Sequence, residues 1–192
     1  MMWMWWLLGF EALAGIPAEL EDARWQVLAR EPTWVGCTEA RGFTWCRSQG
    51  LVDGSMEELE SLLNTFEDYP QIFDRVTHTT RLAPNTVHVV LDMPFPLASR
   101  DYVAQFERAQ VGGVVRYGWS AVTHSATPRS TGAVRLVNAA GEWRLTPYAR
   151  DQTTVTYTWN GELRGDFPEW AHTRAWEVQG LEVIRWLQEA VE

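Results

Sequence analysis

Residues 87–103, VHVVLDMPFPLASRDYV, decide how this chain is read. Val87, Val89 and Leu91 alternate with His88, Val90 and Asp92, the period of a strand with one face on a core. Pro94 and Pro96 stop that strand, because proline fixes φ and removes the N–H that a sheet ladder uses. Arg100-Asp101 then opens a second extended run. Two strands joined through a stiff bend are able to line a cavity as readily as they close a core, and function depends on which they do.

On both sides of this stretch the middle of the chain reads as strands, at 76–82, 86–92, 102–109, 113–122, 132–137, 142–147 and 153–159. In the last of these Val155, Tyr157 and Trp159 alternate with Thr154, Thr156 and Thr158, which predicts one packed face and one exposed face. Asn85, Gly112-Gly113, Ala140-Gly141 and Asp151-Gln152 separate the runs. Such short spacings favour antiparallel hairpins over crossovers through helices. Further upstream, 25–29 reads as a short first strand and 36–47 as two extended pieces around Arg41-Gly42.

Helical patterns frame the strands. Ser55 follows the Asp53-Gly54 turn as a cap, Glu57, Glu58 and Glu60 sit where the dipole favours acids, and Met56, Leu59, Leu62, Leu63 and Phe66 share a side. A helix over 56–66 is expected, ended by Asp68-Tyr69-Pro70. After Gly165-Asp166, Pro168 and Glu169 begin a segment of about 22 residues, roughly 33 Å as a helix. Trp176, Gly180, Ile184, Leu187 and Val191 form its apolar line, widened by Trp170, Thr173, Leu181 and Val183. Gly180 marks either close helix packing or a wall beside an apolar ligand. The expected class is α+β, a curved antiparallel sheet with a long C-terminal helix.

At 192 residues, with no linker-like stretch, the chain suits one substantial core. Its formal charge of -9, from 16 Lys plus Arg against 25 Asp plus Glu, opposes binding to nucleic acid and to anionic membranes. Twelve Trp residues supply large apolar area for filling a core or walling a ligand site. Residues 1–14, MMWMWWLLGFEALA, lack a basic start, are broken by Glu11 and are too short for an ordinary transmembrane helix. Residues 1–20 are therefore read as a separate apolar segment, a signal sequence ending near Ala12-Leu13-Ala14 or a surface helix. The compartment stays open between the cytoplasm and, with cleavage, the periplasm or extracellular space. Cys37 and Cys46 would pair after export and otherwise serve as small hydrophobes. His78, His88, His124 and His172 match neither a zinc-protease pattern nor a Ser/His/Asp order, and no P-loop or dinucleotide fingerprint occurs. No cofactor, metal or catalysis is expected.

In its order of segments the chain resembles the START family, the steroidogenic-acute-regulatory-related lipid-transfer domains, and its small bacterial members in particular. The likeness is carried by Gly50-Leu51-Val52-Asp53, by Met93-Pro94-Phe95-Pro96-Leu97 with Arg100-Asp101-Tyr102-Val103, by Gly132-Ala133-Val134-Arg135, by Gly141-Glu142-Trp143-Arg144-Leu145-Thr146-Pro147, and by residues 153–157 and 165–170. It implies a helix-grip fold over residues 21–192, with the sheet wrapping a hydrophobic tunnel under a C-terminal lid. It also implies binding, transfer or sensing of a sterol, phospholipid or other lipid, with transient membrane contact. Arg100 and Asp101 occupy the family's Arg-Asp pair, and Arg135 its recurring later Arg. Where some relatives place a cavity Arg, this chain has Phe106.

The expected ligand-binding residues are Leu91, Arg100, Asp101, Phe106, Tyr117, Trp119, Val134, Arg135, Leu136, Tyr157, Trp176, Gly180 and Ile184. Arg100-Asp101 is read as an ion pair, either at the cavity entrance or pinning the strand start to a loop. The connection 122–131 is a candidate opening segment. Two other functions are weighed against lipid binding. One is a cyclase or hydrolase-like enzyme using the same cavity, which requires a perturbed ionisable cluster beside it. The other is a scaffold protein whose interior is filled by its own Trp side chains.

Overall fold

The computed structural model describes residues 15–94, 97–128, 132–162, 164 and 167–192. Expectations for residues 1–14, Phe95, Pro96, 129–131 and 165–166 lie outside the described residues.

Three strands open the fold: β1 (Gln26–Ala29), β2 (Trp34–Ala40) and β3 (Phe43–Val52). Arg41 and Gly42 both have positive φ, 52° and 77°, as the tight turn that twists β2 into β3 requires. This places Cys37 opposite Cys46, where the two are disulfide-bonded. Helix α1 (Met56–Asn64) begins at a reciprocal cap. The Ser55 N–H donates to Glu58 Oε2 at 2.8 Å, and the Glu58 N–H donates back to Ser55 Oγ at 3.3 Å. The helix ends two residues earlier than its periodicity suggests. Phe66 starts a separate 3₁₀ turn that presses its ring on Phe106, and Pro70 lies in the first turn of α2 (Tyr69–Ile72).

The remaining strands are β4 (Val76–Ala83), β5 (Thr86–Leu91), β6 (Arg100–Val111), β7 (Val114–Ala121), β8 (Val134–Arg135), β9 (Ala140–Ala149) and β10 (Gln152–Asn160). Among the described residues they complete a ten-stranded sheet in the order β1-β2-β3-β10-β9-β7-β6-β5-β4. Neighbours along that order are antiparallel, and β10 joins β3 across the chain by pairing Thr153 with Val52. The exception is β8, a two-residue strand parallel to β6, where a longer strand over 132–137 was expected. Gly132, at φ 86°, bends the chain before it.

The expected exposed face of β10 is covered. Thr156 and Thr158 are buried, Arg47 Nε donates to Thr158 Oγ1 at 3.0 Å, and a second apolar cluster of Leu20, Trp45 and Ala140 forms on the outside. Ile16, Ala23 and Trp25 pack onto that cluster, so the chain preceding β1 roofs the outer face. Alternation along one strand defines two faces without saying what lies over either.

Helix α3 (His172–Val191) follows a 3₁₀ turn at Glu169–Ala171 and lies against the inner face of the sheet. Its backbone comes close at Gly180, where an added Cβ would stand 2.7 Å from Val35 Cγ1 and 3.2 Å from Trp159. Ile184 seats on Gly50 in the same way, and Trp176 covers Gly161 and donates from Nε1 to its carbonyl at 3.1 Å. Close packing, one of the two explanations for Gly180, is what the structure contains. Replacing Gly180 by Leu is predicted to lower unfolding free energy by about 1–3 kcal/mol through overpacking, read as a reduced urea midpoint.

Candidate functional site

Between α3 and the half of the sheet formed by β4 to β7, β9 and β10 lies a hollow of about 360 Å³. The inward positions of several strands form its floor: Leu91 on β5, Arg100, Tyr102 and Phe106 on β6, Trp119 on β7, Trp143 on β9 and Tyr157 on β10. These side chains meet because registry aligns them, with Tyr157 opposite Trp143 and Phe106 opposite Trp119. Their rings stack. Trp143 and Tyr157 have centroids 4.1 Å apart, and Tyr102 and Trp119 5.2 Å.

Tyr69 and Phe73, from α2 and the residue after it, close one side, while Ala175, Val178, Gln179, Val183 and Trp186 of α3 form the roof. Hydrogen bonds fix that roof to the edge of the sheet. Arg75 grips Glu182 through two bonds of 2.8 and 3.0 Å, and Trp186 Nε1 donates to Asp74 Oδ2 at 2.9 Å. The mouth is framed by Met93, Pro94 and Leu97 from the β5–β6 connection and by Phe167, Trp170 and Arg174 before and at the start of α3. Trp170 is 86% exposed there.

Of the residues singled out from sequence, Leu91, Arg100, Phe106, Trp119, Leu136 and Tyr157 stand in the cavity wall. The others stand elsewhere. Tyr117 points inward, but beneath α1, where its hydroxyl donates to Glu60 at 2.8 Å and accepts from Asn64 at 2.7 Å. Trp176, Gly180 and Ile184 belong to the flank of α3 that packs on β2, β3 and β10, turned away from the flank carrying Ala175, Val178 and Val183. Val134 is half-buried on β8.

Arg100 and Asp101 do not pair with each other. Successive strand residues face opposite ways, which sends Arg100 toward the cavity and Asp101 to the outer side. Arg100, 2% exposed, donates to the carbonyls of Ala98 and Arg164, the latter at 2.7 Å, and so ties the strand start to the segment entering α3. Asp101, 0% exposed, receives Arg135 through bonds of 2.8 and 2.5 Å, and His88 Nε2 lies 2.7 Å from Oδ2. The resulting cluster joins β5, β6 and β8 behind the cavity.

Sequence reasoning missed Tyr69, Phe73, Tyr102, Trp143, Val178 and Trp186. Tyr102 and Trp143 had a usable signal, since Tyr102 shares parity with Phe106 and Trp143 opposes Tyr157 once β9 and β10 are paired. The helical residues had none, because the angle at which α3 meets the sheet is not written in its own period. Burial raises the phenol pKa values of Tyr69, Tyr102 and Tyr157, so all three remain neutral hydrogen-bond donors well above pH 7. Among the described residues no cluster of His, Cys, Asp and Glu is arranged to hold a metal, and no helix is long and apolar enough to cross a membrane.

Removing the Asp101 carboxylate should be costly, since it leaves His88 buried without that partner and frees Arg135. Asp101→Ala is predicted to lower stability by about 3 kcal/mol in urea denaturation, the lower end for breaking a buried ion pair because Arg135 is 38% exposed.

No family model matches the chain. Over 104 residues it is 31% identical to an uncharacterized protein of Pseudomonas aeruginosa, a match covering 53% of this chain and 50% of that protein, so it spans about half of its relative's length. Solved structures align more completely. A fragment of the STAR-related lipid transfer protein from Xanthomonas axonopodis superposes with a TM-score of 0.74 at 21% identity, covering 87% of this chain and 98% of its own. Human STARD10 reaches 0.74 at 18% identity over 87% of this chain and 72% of its own. The di-domain ARO/CYC protein BexL gives 0.52 at 14% identity, over 77% and 46%. With a curved antiparallel sheet gripping a C-terminal helix, this chain has the helix-grip fold of the START-related lipid-transfer domains.

Proposed function

We propose that this protein binds one hydrophobic small molecule in the cavity under α3 and passes it to or from a membrane surface, without making or breaking a bond. The observation carrying this reading is the hollow itself, about 360 Å³ and walled mostly by apolar and aromatic side chains. Its size falls in the lower part of the roughly 300–1,000 Å³ range of drug-sized sites. Each Å² of apolar ligand surface leaving water contributes about 25 cal/mol. The START-type lipid-transfer proteins with the same fold support a carrier role over a scaffold filled by its own side chains.

Exchange uses the mouth. Trp170, exposed beside Met93 and Leu97, has the amphipathic ring that settles at a membrane–water boundary, and Arg174 beside it is paired with Glu177 at 2.8 Å. The α3 roof is held to the sheet edge through Glu182 and Trp186 and to Gly161 through Trp176, so exchange runs through the mouth beside Trp170 without lifting of the whole helix.

Native mass spectrometry of the gently purified protein should reveal a bound hydrophobic compound at one per chain. Filling the hollow with Val178→Trp is predicted to reduce its occupancy at least about tenfold while leaving the melting temperature nearly unchanged. Full occupancy in that folded variant would contradict the reading. Trp170→Ala should slow ligand transfer between vesicles several-fold with equilibrium binding unaltered, and equal transfer rates would remove the mouth from the mechanism.

A further inference from the structure

The chain enters the fold at one end of the sheet, and the stretch before that entry is uncharged and rich in Trp. Residues 1–10, MMWMWWLLGF, hold three Trp, three Met, two Leu and one Phe, and the first charged side chain is Glu11. At half of the roughly 20 apolar residues that a spanning helix needs, the run is too short to cross a bilayer. It also lacks the basic start of an export signal. Trp with long apolar neighbours has another place in lipid, the interface, where the ring buries its body among acyl chains while its N–H meets water.

The residues that follow fix where this run joins the fold. Gly15 has φ 125°, and nothing stands within 4 Å of the position its Cβ would take, so the chain meets open space there. Ile16 packs on the outer apolar cluster together with Ala40 and Phe43 of the β2–β3 hairpin, and Arg41 in the turn grips Glu19 through bonds of 2.8 and 3.0 Å. The run ends five residues before Gly15, a reach of at most about 18 Å.

That hairpin stands at the end of the sheet where the cavity opens. The Gly161 N–H donates to the Thr44 carbonyl at 2.6 Å, and Asn160, opposite Trp45, donates from its side chain to the Asn138 carbonyl. The Ala121 N–H reaches the Ala139 carbonyl at 2.7 Å and the Val122 N–H the Val103 carbonyl at 2.8 Å, which brings in the end of β7 and the start of β6 with the mouth before it. Trp170 and the exposed Val122 and Val137 belong to this end. Arg41, Arg164 and Arg174, also here, are each paired, with Glu19, Glu162 and Glu177. With a net charge of -9 as well, attraction to anionic headgroups does not hold this end to a bilayer, and apolar insertion has to.

We infer that residues 1–10 are a one-leaflet membrane anchor, whose Trp, Met, Leu and Phe side chains enter the interface of a bilayer and hold the mouth end of the sheet, with Val122, Val137 and Trp170, against it. The partner is a lipid surface, and an uncharged one suits it best. The anchor goes beyond cavity binding, because it acts whether or not the hollow is filled. Tethered in this way, the mouth stays at the bilayer instead of finding it by collision.

Flotation of the full chain with phosphatidylcholine vesicles tests it. The parent should float with the vesicles equally at about 0.05 and about 0.5 M salt, and replacing part of the lipid by phosphatidylglycerol should weaken binding at the lower salt. Trp3→Ser/Trp5→Ser/Trp6→Ser should lower the partition coefficient at least about tenfold and Val137→Ser/Trp170→Ala several-fold, whereas Leu51→Ser/Tyr148→Ser, at the opposite end of the sheet, should leave it unchanged. Native mass spectrometry should find the cavity of the triple variant occupied as in the parent, which separates loss of the anchor from loss of the ligand site. Equal flotation of the triple variant and the parent, or binding that needs phosphatidylglycerol and is lost in salt, would overturn the inference. So would an intact mass that starts at Gly15 or later, or self-association of the parent that the triple variant loses while neither floats, which would make a second copy the partner.

Discussion

Helix α3 packs directly onto the sheet along one flank, and the hollow exists because its other flank reaches the sheet only through polar bonds at the edge. Gly180 brings the helix backbone onto Val35 and Trp159, Ile184 fits over Gly50, and Trp176 covers Gly161. These contacts draw α3 toward β2, β3 and β10. The curvature of the sheet then carries β4 to β7 away from the helix, and the gap is only partly filled by rings reaching in from both sides. Arg75–Glu182 and Asp74–Trp186 fasten the same helix to the other edge of the sheet, which sets the width of the opening.

A hollow of this kind weakens the inner layer, because atoms lining a void lack part of their dispersion contacts. The outer face supplies stability in exchange. Leu20, Trp45 and Ala140 form their own apolar cluster there, and the Asp101 carboxylate holds β5, β6 and β8 together through His88 and Arg135, while on the inner side the Cys37–Cys46 disulfide links β2 to β3. Arg100, one residue away, ties the same strand to the segment that enters α3. Adjacent residues thus join the wall of the cavity on one side and the support behind it on the other.

Local signals in the sequence carried most of the architecture. The Ser55–Glu58 cap, the Arg41-Gly42 turn and the alternation of Val155, Tyr157 and Trp159 each depend on a few neighbouring residues, and each has the structure its chemistry dictates. Readings that depended on distant partners fared unevenly. The apolar line Trp176-Gly180-Ile184 is a real helix face, but a period of 3.6 cannot tell sheet-packing from cavity-facing when both are apolar. Thr156 and Thr158 looked like a solvent face until the residues before β1 were seen to cover them. Arg100 and Asp101 read as a pair because they are adjacent, although adjacency in a strand puts side chains on opposite faces. The resemblance to START domains supplied the grip of sheet on helix, which fixed where the cavity should be but not which residues wall it.

Crystals of the ligand-free protein pressurised with xenon would test directly whether the space between α3 and the aromatic floor stays open. Xenon enters apolar voids without forming polar contacts, and the account predicts density in the hollow bounded by Trp143, Tyr157, Val183 and Trp186. Finding no xenon, with those rings swung inward to fill the space, would contradict it.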